Sequence, residues 1–210
     1  MRGRVTFVVV AASLICGTAS ADPVAAGDIV RLSLYGSNGT ALARFADGGP
    51  FRMDLAGTAF DFLTFCLERD EYFIPNENLL VGSVTESAQN GGVNTNSGDR
   101  ISGTTAFIYT MFRMGTIGYT NGVLLQEAIW HLEGERTASA AVQAFVQAAA
   151  ADMVRWDWGA NYLGGVQVAN MYRGANYTTF AQDMLVITRV PEPGRVLMVG
   201  LGQLLASRGM

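Results

Sequence analysis

The stretch SGTTAFIYTMFRM, residues 102–114, marks the place where the hydrophobic pattern of this chain changes. Before it, short runs of alternating apolar and polar residues indicate β-strands. From residue 104 to 114 the apolar residues instead recur every three or four positions, as on a largely buried helix. Ser102 is suited to be its N-cap. The chain therefore passes from strands to helices at this point.

Strands are predicted on both sides of the helical region. Residues 28–35 and 40–45 flank the turn sequence GSNG and predict a hairpin. Other runs with strand composition are 51–55, 59–67, 79–85, 166–169 and 184–188. The polar stretch 87–99, rich in Asn and Gly, predicts no packed element.

Two further helices are predicted after the first. One runs from its cap at Asn121 to about Glu133, and the other is an amphipathic, Ala-rich helix over 137–156. The order of strands, then helices, then strands predicts one α+β domain over 22–189, with antiparallel sheet or sheets around a central group of about three helices.

The N-terminal segment 1–21 has the pattern of a secretory signal peptide. Arg2 and Arg4 precede an apolar run over 5–15, and small residues end at Ala21, where we expect cleavage. The apolar run is too short to span a bilayer as a helix, which takes about twenty residues. Cleavage would remove Cys16 and leave Cys66 as the one cysteine. A lone thiol in an oxidising compartment is either an inert, buried group or one with a chemical function.

Composition excludes several classes of partner. The net charge is −4 and no basic patch is visible in the sequence, so we expect neither nucleic acid nor an anionic membrane surface as a partner. All 14 basic residues are arginines, which excludes an internal isopeptide bond from lysine. We see no metal-ligand cluster and no phosphate-binding loop, and we therefore expect no metal and no cofactor.

The C-terminal segment 190–210 contains VPEPG at 190–194, an apolar stretch over 196–206, and Arg208. It resembles the PEP-CTERM sorting signal, which in its family is recognised by the membrane protease-transpeptidase exosortase. The resemblance implies a secreted or cell-surface protein of a bacterium, with transient membrane contact through this tail. The apolar stretch of about eleven residues would cover only about half of a bilayer core.

Two short segments carry the chemistry: Phe65-Cys66-Leu67 and the helical sequence LQEAIW at 125–130. Together they resemble the thioester domains of bacterial surface adhesins. The matching positions are Phe65, Cys66, Gln126, Ile129 and Trp130. Stretches that fit the version of this domain found with PEP-CTERM tails are 66–68, 71–73, 105–109 and 182–185.

The resemblance implies an internal thioester between Cys66 and Gln126, shielded by Phe65, Ile129 and Trp130. In this interpretation the protein is not an enzyme: the bond forms autocatalytically and acylates, once, an amine or hydroxyl on a surface or matrix molecule. Helical spacing places Trp130 on the same face as Gln126, with Ile129 adjacent.

Two alternatives stay open at the level of sequence. One is a non-covalent matrix or structural protein, in which the thioester is only a stabilising crosslink or is absent. The other is a cysteine hydrolase that uses Cys66 with His131, the one histidine. No recognised nucleophile motif surrounds Cys66, and helix geometry favours a surface or capping role for His131.

Overall fold

The structure is a computed structural model that describes residues 21–35, 48–89 and 98–189. Its architecture is α+β, as predicted: a six-stranded antiparallel sheet, a two-stranded ladder and three packed helices. The strands are β1 Ile29–Leu34, β2 Phe51–Leu55, β3 Asp61–Thr64, β4 Leu79–Thr85, β5 Ser87–Ala88, β6 Asp99–Arg100, β7 Val166–Arg173 and β8 Thr179–Ile187. The helices are α1 Gly103–Arg113, α2 Gly122–Leu132 and α3 Ala140–Arg155.

The main sheet has the strand order β3-β2-β1-β4-β7-β8. Its two faces bury different sets of apolar side chains, because successive residues of a strand point to opposite sides. Val168 of β7 and Leu185 of β8 pack with the helices, in what we name the helix-side core. Met171 and Met184 of the same strands belong to a second apolar cluster, the sheet-side core, which also contains Cys66.

Each helix begins at a side-chain cap. Ser102, Asn121 and Ser139 accept hydrogen bonds from the backbone N–H groups three residues on, which satisfies donors that have no partner within the helix. The helices pack against one another, and α1 also contacts β7. The predicted caps at Ser102 and Asn121 are confirmed, and so is the existence of all three helices.

Several predicted strands differ in extent from those observed. The prediction of strand over 59–67 is too long, because β3 ends at Thr64 and Cys66 makes only an isolated bridge to Met184. The final hairpin is longer than predicted, since β7 reaches Arg173 and β8 begins at Thr179. The predicted returning strand 40–45 lies outside the described residues. Among the described strands, β1 pairs with β2 and β4.

The prediction that 87–99 contains no packed element is wrong at both ends. Ser87 pairs with Arg100 and Ala88 with Asp99, which makes the small ladder of β5 and β6. The ladder is supported by a hydrogen bond from Gln89 N–H to the Asp183 carboxylate at 2.9 Å. This pairing joins residues whose local sequence favours loops, so it depends on tertiary contacts.

Asp22 anchors the start of the predicted mature domain. Its N–H donates to Ile187 O at 2.6 Å, and its carboxylate forms an ion pair with Arg113 at 2.8 Å. The predicted signal peptide, apart from Ala21, and the predicted tail 190–210 lie outside the described residues. Within the described ranges, none of the helices combines the length and the apolarity needed to cross a bilayer.

Candidate functional site

Cys66 lies just beyond the end of β3, where the chain is bound to β8. Leu185 N–H donates to Phe65 O and Leu67 N–H donates to Asp183 O, each at 3.1 Å. These two backbone hydrogen bonds flank Cys66 and fix its N–H and C=O relative to the sheet. The cysteine is 3% exposed and is the free cysteine of the described chain.

Gln126 reaches Cys66 from the second turn of α2. Its side-chain carboxamide is fully buried and hydrogen-bonded on both ends. Oε1 accepts from Gly49 N–H at 3.0 Å and from Cys66 N–H at 3.2 Å, while Nε2 donates to Cys66 O at 2.8 Å. Two backbone donors therefore converge on one carbonyl oxygen, an arrangement that stabilises negative charge developing on that oxygen.

The Cys66 thiol makes a hydrogen-bond contact with the same oxygen. Sγ lies 3.3 Å from Gln126 Oε1, so the two residues are in contact but are not positioned as a thioester. In a thioester, Sγ would be bonded to Cδ, which is about 1.2 Å from Oε1 in any carboxamide. The contact with Oε1 therefore places the sulfur within about 4.5 Å of the carbon that it would have to attack.

The segment Gly48-Gly49-Pro50 packs closely against Gln126. Gly48 has φ +73°, and a Cβ added there would lie 2.3 Å from Gln126 Cγ and 2.7 Å from Trp130 Cη2. A Cβ added to Gly122, at the start of α2, would lie 2.2 Å from Pro50 Cδ. Only glycine permits this approach of the backbone to α2, which is how Gly49 N–H reaches the Gln126 oxygen.

The three residues expected to shield the bond occupy different places. Trp130 is 3% exposed and packs in the sheet-side core with Cys66. Phe65 and Ile129 are fully buried in the helix-side core, where the Phe65 ring contacts Phe112 with a centroid distance of 4.9 Å. Of the three, Trp130 is thus the residue that packs in the same core as Cys66.

A cavity of about 220 Å³ opens beside Cys66. Its apolar wall consists of Phe51, Phe73 and Trp130, and its rim consists of the exposed residues Arg69, Asp70 and Tyr72. Gly48, Glu71 and Gln182 complete the lining. Cys66 belongs to the lining of this cavity, whereas the fully buried Gln126 does not.

Burial dominates the electrostatics of the thiol. Desolvation raises the pKa of Cys66 well above its usual value, and the carboxylates of Glu68 and Glu71 raise it further. The Trp130 indole N–H opposes this shift by a smaller amount. That N–H does not reach hydrogen-bond geometry with the sulfur and has no other partner among the described residues. The thiol is therefore neutral at physiological pH.

Carboxyl groups crowd the polar end of the cavity. Burial, followed by repulsion from Asp183, raises the pKa of Glu71 to about 8. Burial, followed by repulsion from Glu135 and Glu71, also raises the pKa of Glu68. Over the described ranges, no group of three or more His, Cys, Asp or Glu is arranged to hold a metal ion.

No family model, curated protein or solved structure matches this chain. Its function has to follow from the contacts of the site itself. The sequence singled out Cys66, Gln126 and Trp130, and these three meet. It did not single out Gly48 or Gly49; the run GGP at 48–50 was the available signal for a close backbone approach.

His131 has no role at the cavity. Its Nδ1 lies 3.1 Å from Arg136 O, at the turn that follows α2, and the residue is not part of the cavity lining. A cysteine hydrolase needs a base within hydrogen-bond reach of its nucleophile. The side-chain contact found for the Cys66 sulfur is with Gln126, which has no basic group.

Proposed function

We propose that Cys66 and Gln126 condense to an internal thioester, and that the exported protein uses it to attach covalently to a partner at a bacterial surface or matrix. The partner would bear an amine or a hydroxyl. The observation that carries this proposal is the Gln126 carbonyl oxygen, held by the N–H groups of Gly49 and Cys66 with Sγ at 3.3 Å.

The condensation balances without a further reactant. Sγ adds to Cδ of Gln126, and the negative charge that develops on Oε1 is met by the two backbone donors. The thiol proton passes to Nε2, the C–N bond breaks, and ammonia leaves through the cavity. The products are one thioester and one ammonia.

An amide is a poor electrophile, so positioning has to supply much of the rate. Well-oriented intramolecular reactions reach effective molarities of about 10⁵–10⁸ M, equivalent to roughly 7–11 kcal/mol of the barrier. Each preorganised oxyanion donor adds about 3–4 kcal/mol. The full burial of Gln126 also keeps water from the acyl group once it has formed.

That same burial favours a second candidate function, a structural crosslink. A bond between residues 60 apart in the chain would close a loop and restrict the unfolded state. The chain-entropy argument for crosslinks gives a stabilisation of about 4 kcal/mol for such a loop. In this case the thioester would form but would not react with an outside nucleophile.

The part of the proposal that concerns export and sorting rests on the sequence alone. The signal peptide 1–21 would direct secretion, and the tail 190–210 would be the exosortase substrate, with transient membrane contact. Both segments are outside the described ranges, apart from Ala21. Cleavage after Ala21 would leave Asp22, which is packed at the end of β8, as the first residue.

Intact mass spectrometry of the protein purified gently from its native host tests the thioester. We expect the mass to be lower by one ammonia, and the loss to disappear in Cys66→Ala and in Gln126→Ala. Gln147→Ala, which changes an exposed glutamine of α3, is the matched control and should keep the loss. Full mass in the wild-type protein would overturn the proposal.

Methylamine added to the folded protein separates the two candidates. Covalent capture predicts that methylamine adds at Gln126 and that a free Cys66 thiol appears, both located by peptide mapping. A thioester that persists in the folded protein but reacts after unfolding would instead establish the structural crosslink.

A further inference from the structure

A second cavity, of about 520 Å³, lies where β7 begins and β8 ends, and we name it the hairpin-base cavity. Its volume is in the range of about 300–1,000 Å³ that is usual for small-molecule sites. The lining consists of residues 161–167 and 188–189 together with the ion-paired side chains of Glu86 and Arg100. None of these residues lines the Cys66 cavity, so the two cavities are separate.

Two glycines shape one wall of the hairpin-base cavity. Gly164 and Gly165 have φ of +58° and +86°, values that glycine adopts without steric cost. A Cβ added to Gly164 would lie 2.2 Å from Trp158 Cη2, and one added to Gly165 would lie 2.2 Å from Arg189 O. The turn is also tied to the end of β8, because Thr188 N–H donates to Gly165 O at 2.9 Å. This wall is therefore held in a fixed place by close contacts on both sides.

The same wall carries donors without partners. Gly164 is buried, yet its N–H has no hydrogen-bond partner among the described residues. A buried backbone N–H is nearly always paired with protein, water or a ligand. The guanidinium of Arg189, beside Gly165, forms no ion pair or hydrogen bond within the described ranges. Backbone N–H groups of a turn and an arginine fork are the donors that suit a carboxylate.

The charge of the lining also favours an anion. The lining contains two arginines and one glutamate, in a chain whose net charge is −4. Arg100 is already paired with Glu86, its Nη2 lying 3.0 Å from Oε2, so Arg189 supplies the uncompensated positive charge. A local positive charge in an acidic protein attracts small anions to that place.

The other polar groups of the lining are neutral. The Thr188 hydroxyl donates to Gln167 Oε1 at 2.7 Å, which leaves the Nε2 donors of Gln167 without a described partner. The exposed Asn161 carboxamide has no described partner either. Such amides donate to and accept from hydroxyl groups. The Tyr162 ring, packed edge-on against Trp158 with centroids 4.8 Å apart, adds a flat apolar surface. A ligand with one carboxylate, several hydroxyls and an apolar ring face matches this set.

We propose that the hairpin-base cavity binds a sugar acid, whose carboxylate is held by Gly164 N–H and the Arg189 guanidinium. Its hydroxyl groups are bound by Asn161 and Gln167, and one face of its ring lies on Tyr162. Binding is non-covalent. The site goes beyond the proposed function and does not depend on it, because neither member of the thioester pair lines this cavity.

NMR titration of the isotope-labelled full-length protein with galacturonate tests the site. We expect saturable shifts of the Gly164 and Gly165 amide signals. Galactose has the same ring with a neutral CH₂OH group in place of the carboxylate, and acetate has the carboxylate without the ring. Each should bind more weakly than galacturonate by about tenfold or more, since each lacks one half of the interactions.

Two lining variants and two controls locate the binding. Arg189→Gln should lower the affinity for galacturonate roughly 10–100-fold, the contribution of a hydrogen bond to a charged group, and should leave the affinity for galactose unchanged. Gln167→Ala should weaken the binding of both sugars. Arg155→Gln removes an exposed arginine of α3 that does not line the cavity, and it should bind as the wild type does. Cys66→Ala should also bind as the wild type does.

Four results would each overturn the inference. They are galacturonate that causes no saturable shift at Gly164 or Gly165, galactose that binds as tightly as galacturonate, acetate that binds as tightly as galacturonate, and an Arg189→Gln protein with wild-type affinity. Failure of the proposed function is seen separately, as full mass in the wild-type protein, and it leaves these titrations unaffected.

Discussion

Replacing Gly48 by alanine tests how closely the backbone of residues 48–50 has to approach α2. The new Cβ would lie 2.3 Å from Gln126 Cγ and 2.7 Å from Trp130 Cη2, where ordinary contacts begin at 3.4 Å. Left-handed φ costs a non-glycine residue about 1–2 kcal/mol, and overpacking of a core costs about 1–3 kcal/mol. We therefore expect Gly48→Ala to lower the free energy of unfolding by about 2–5 kcal/mol.

Gly57→Ala is the matched control. Gly57 has φ +79°, close to the +73° of Gly48, and no described atom lies within 4 Å of an added Cβ. It should therefore lose only the backbone contribution of about 1–2 kcal/mol. Both changes are made in the Cys66→Ala background, in which no thioester can form, and stability is measured by urea denaturation. Equal losses in the two variants would refute the proposed steric contact at Gln126 and Trp130.

Three further predictions concern the scaffold around the site. Asp22→Asn should cost about 3–5 kcal/mol in urea denaturation because Arg113, whose side chain is 11% exposed, loses its ion pair with the fully buried Asp22 carboxylate. Asp61→Asn, in an exposed pair, should cost under about 1 kcal/mol, and similar losses in the two variants would contradict this. Since the pKa of Glu71 is raised from 4.5 to about 8, folding takes up a proton in that window, and the free energy of unfolding should fall as pH rises through it. Glu71→Gln should flatten that fall, and an unchanged slope would count against the shift. Asn121→Ala should lower stability by about 1 kcal/mol through loss of the α2 cap, and a thermal midpoint equal to wild type would exclude a stabilising cap.

The helices were predictable because their signals are local. Ser102 and Asn121 each accept a hydrogen bond from a backbone N–H only three residues away. The helical spacing of the apolar residues that follow is visible within a short stretch of sequence. The strands over 51–55 and 79–85 were equally clear from composition. Such features require no knowledge of what the element packs against.

The length of the final hairpin was underestimated because its strands depend on contacts that are distant in sequence. Asn170, Gln182 and Asp183 are polar but buried, and they interrupt the alternation that indicates a strand. Tertiary partners account for them: Asn170 Nδ2 donates to the hydroxyls of Ser83 and Thr85, and the Asp183 carboxylate accepts from Met171 N–H. A register shift between Ala169 and Met171 accommodates the irregular pairing.

The candidate site, too, has features with local sequence signals and features that depend on tertiary contacts. The Cys66 and Gln126 segments were singled out by their resemblance to thioester domains, which stays a prediction, and the i to i+4 spacing predicted Trp130 on the same face as Gln126. The second donor to Oε1, Gly49 N–H, comes from a residue 77 positions before Gln126. No local sequence pattern predicts that these two residues are in contact. None predicts the burial and the neighbouring carboxyl groups that raise the pKa of Glu71.

Burial has opposite effects on the two halves of the proposed chemistry. It raises the pKa of the Cys66 thiol, so the thiolate that attacks best is scarce, but it also excludes the water that would hydrolyse a finished thioester. A neutral thiol can react only if it loses its proton as the bond from Sγ to Cδ forms. When the thioester opens, Sγ likewise has to regain a proton, because a buried thiolate is a poor leaving group. Proton transfer is therefore required in both directions. In the proposed reaction, formation meets this requirement internally, because the thiol proton passes to Nε2 as ammonia leaves.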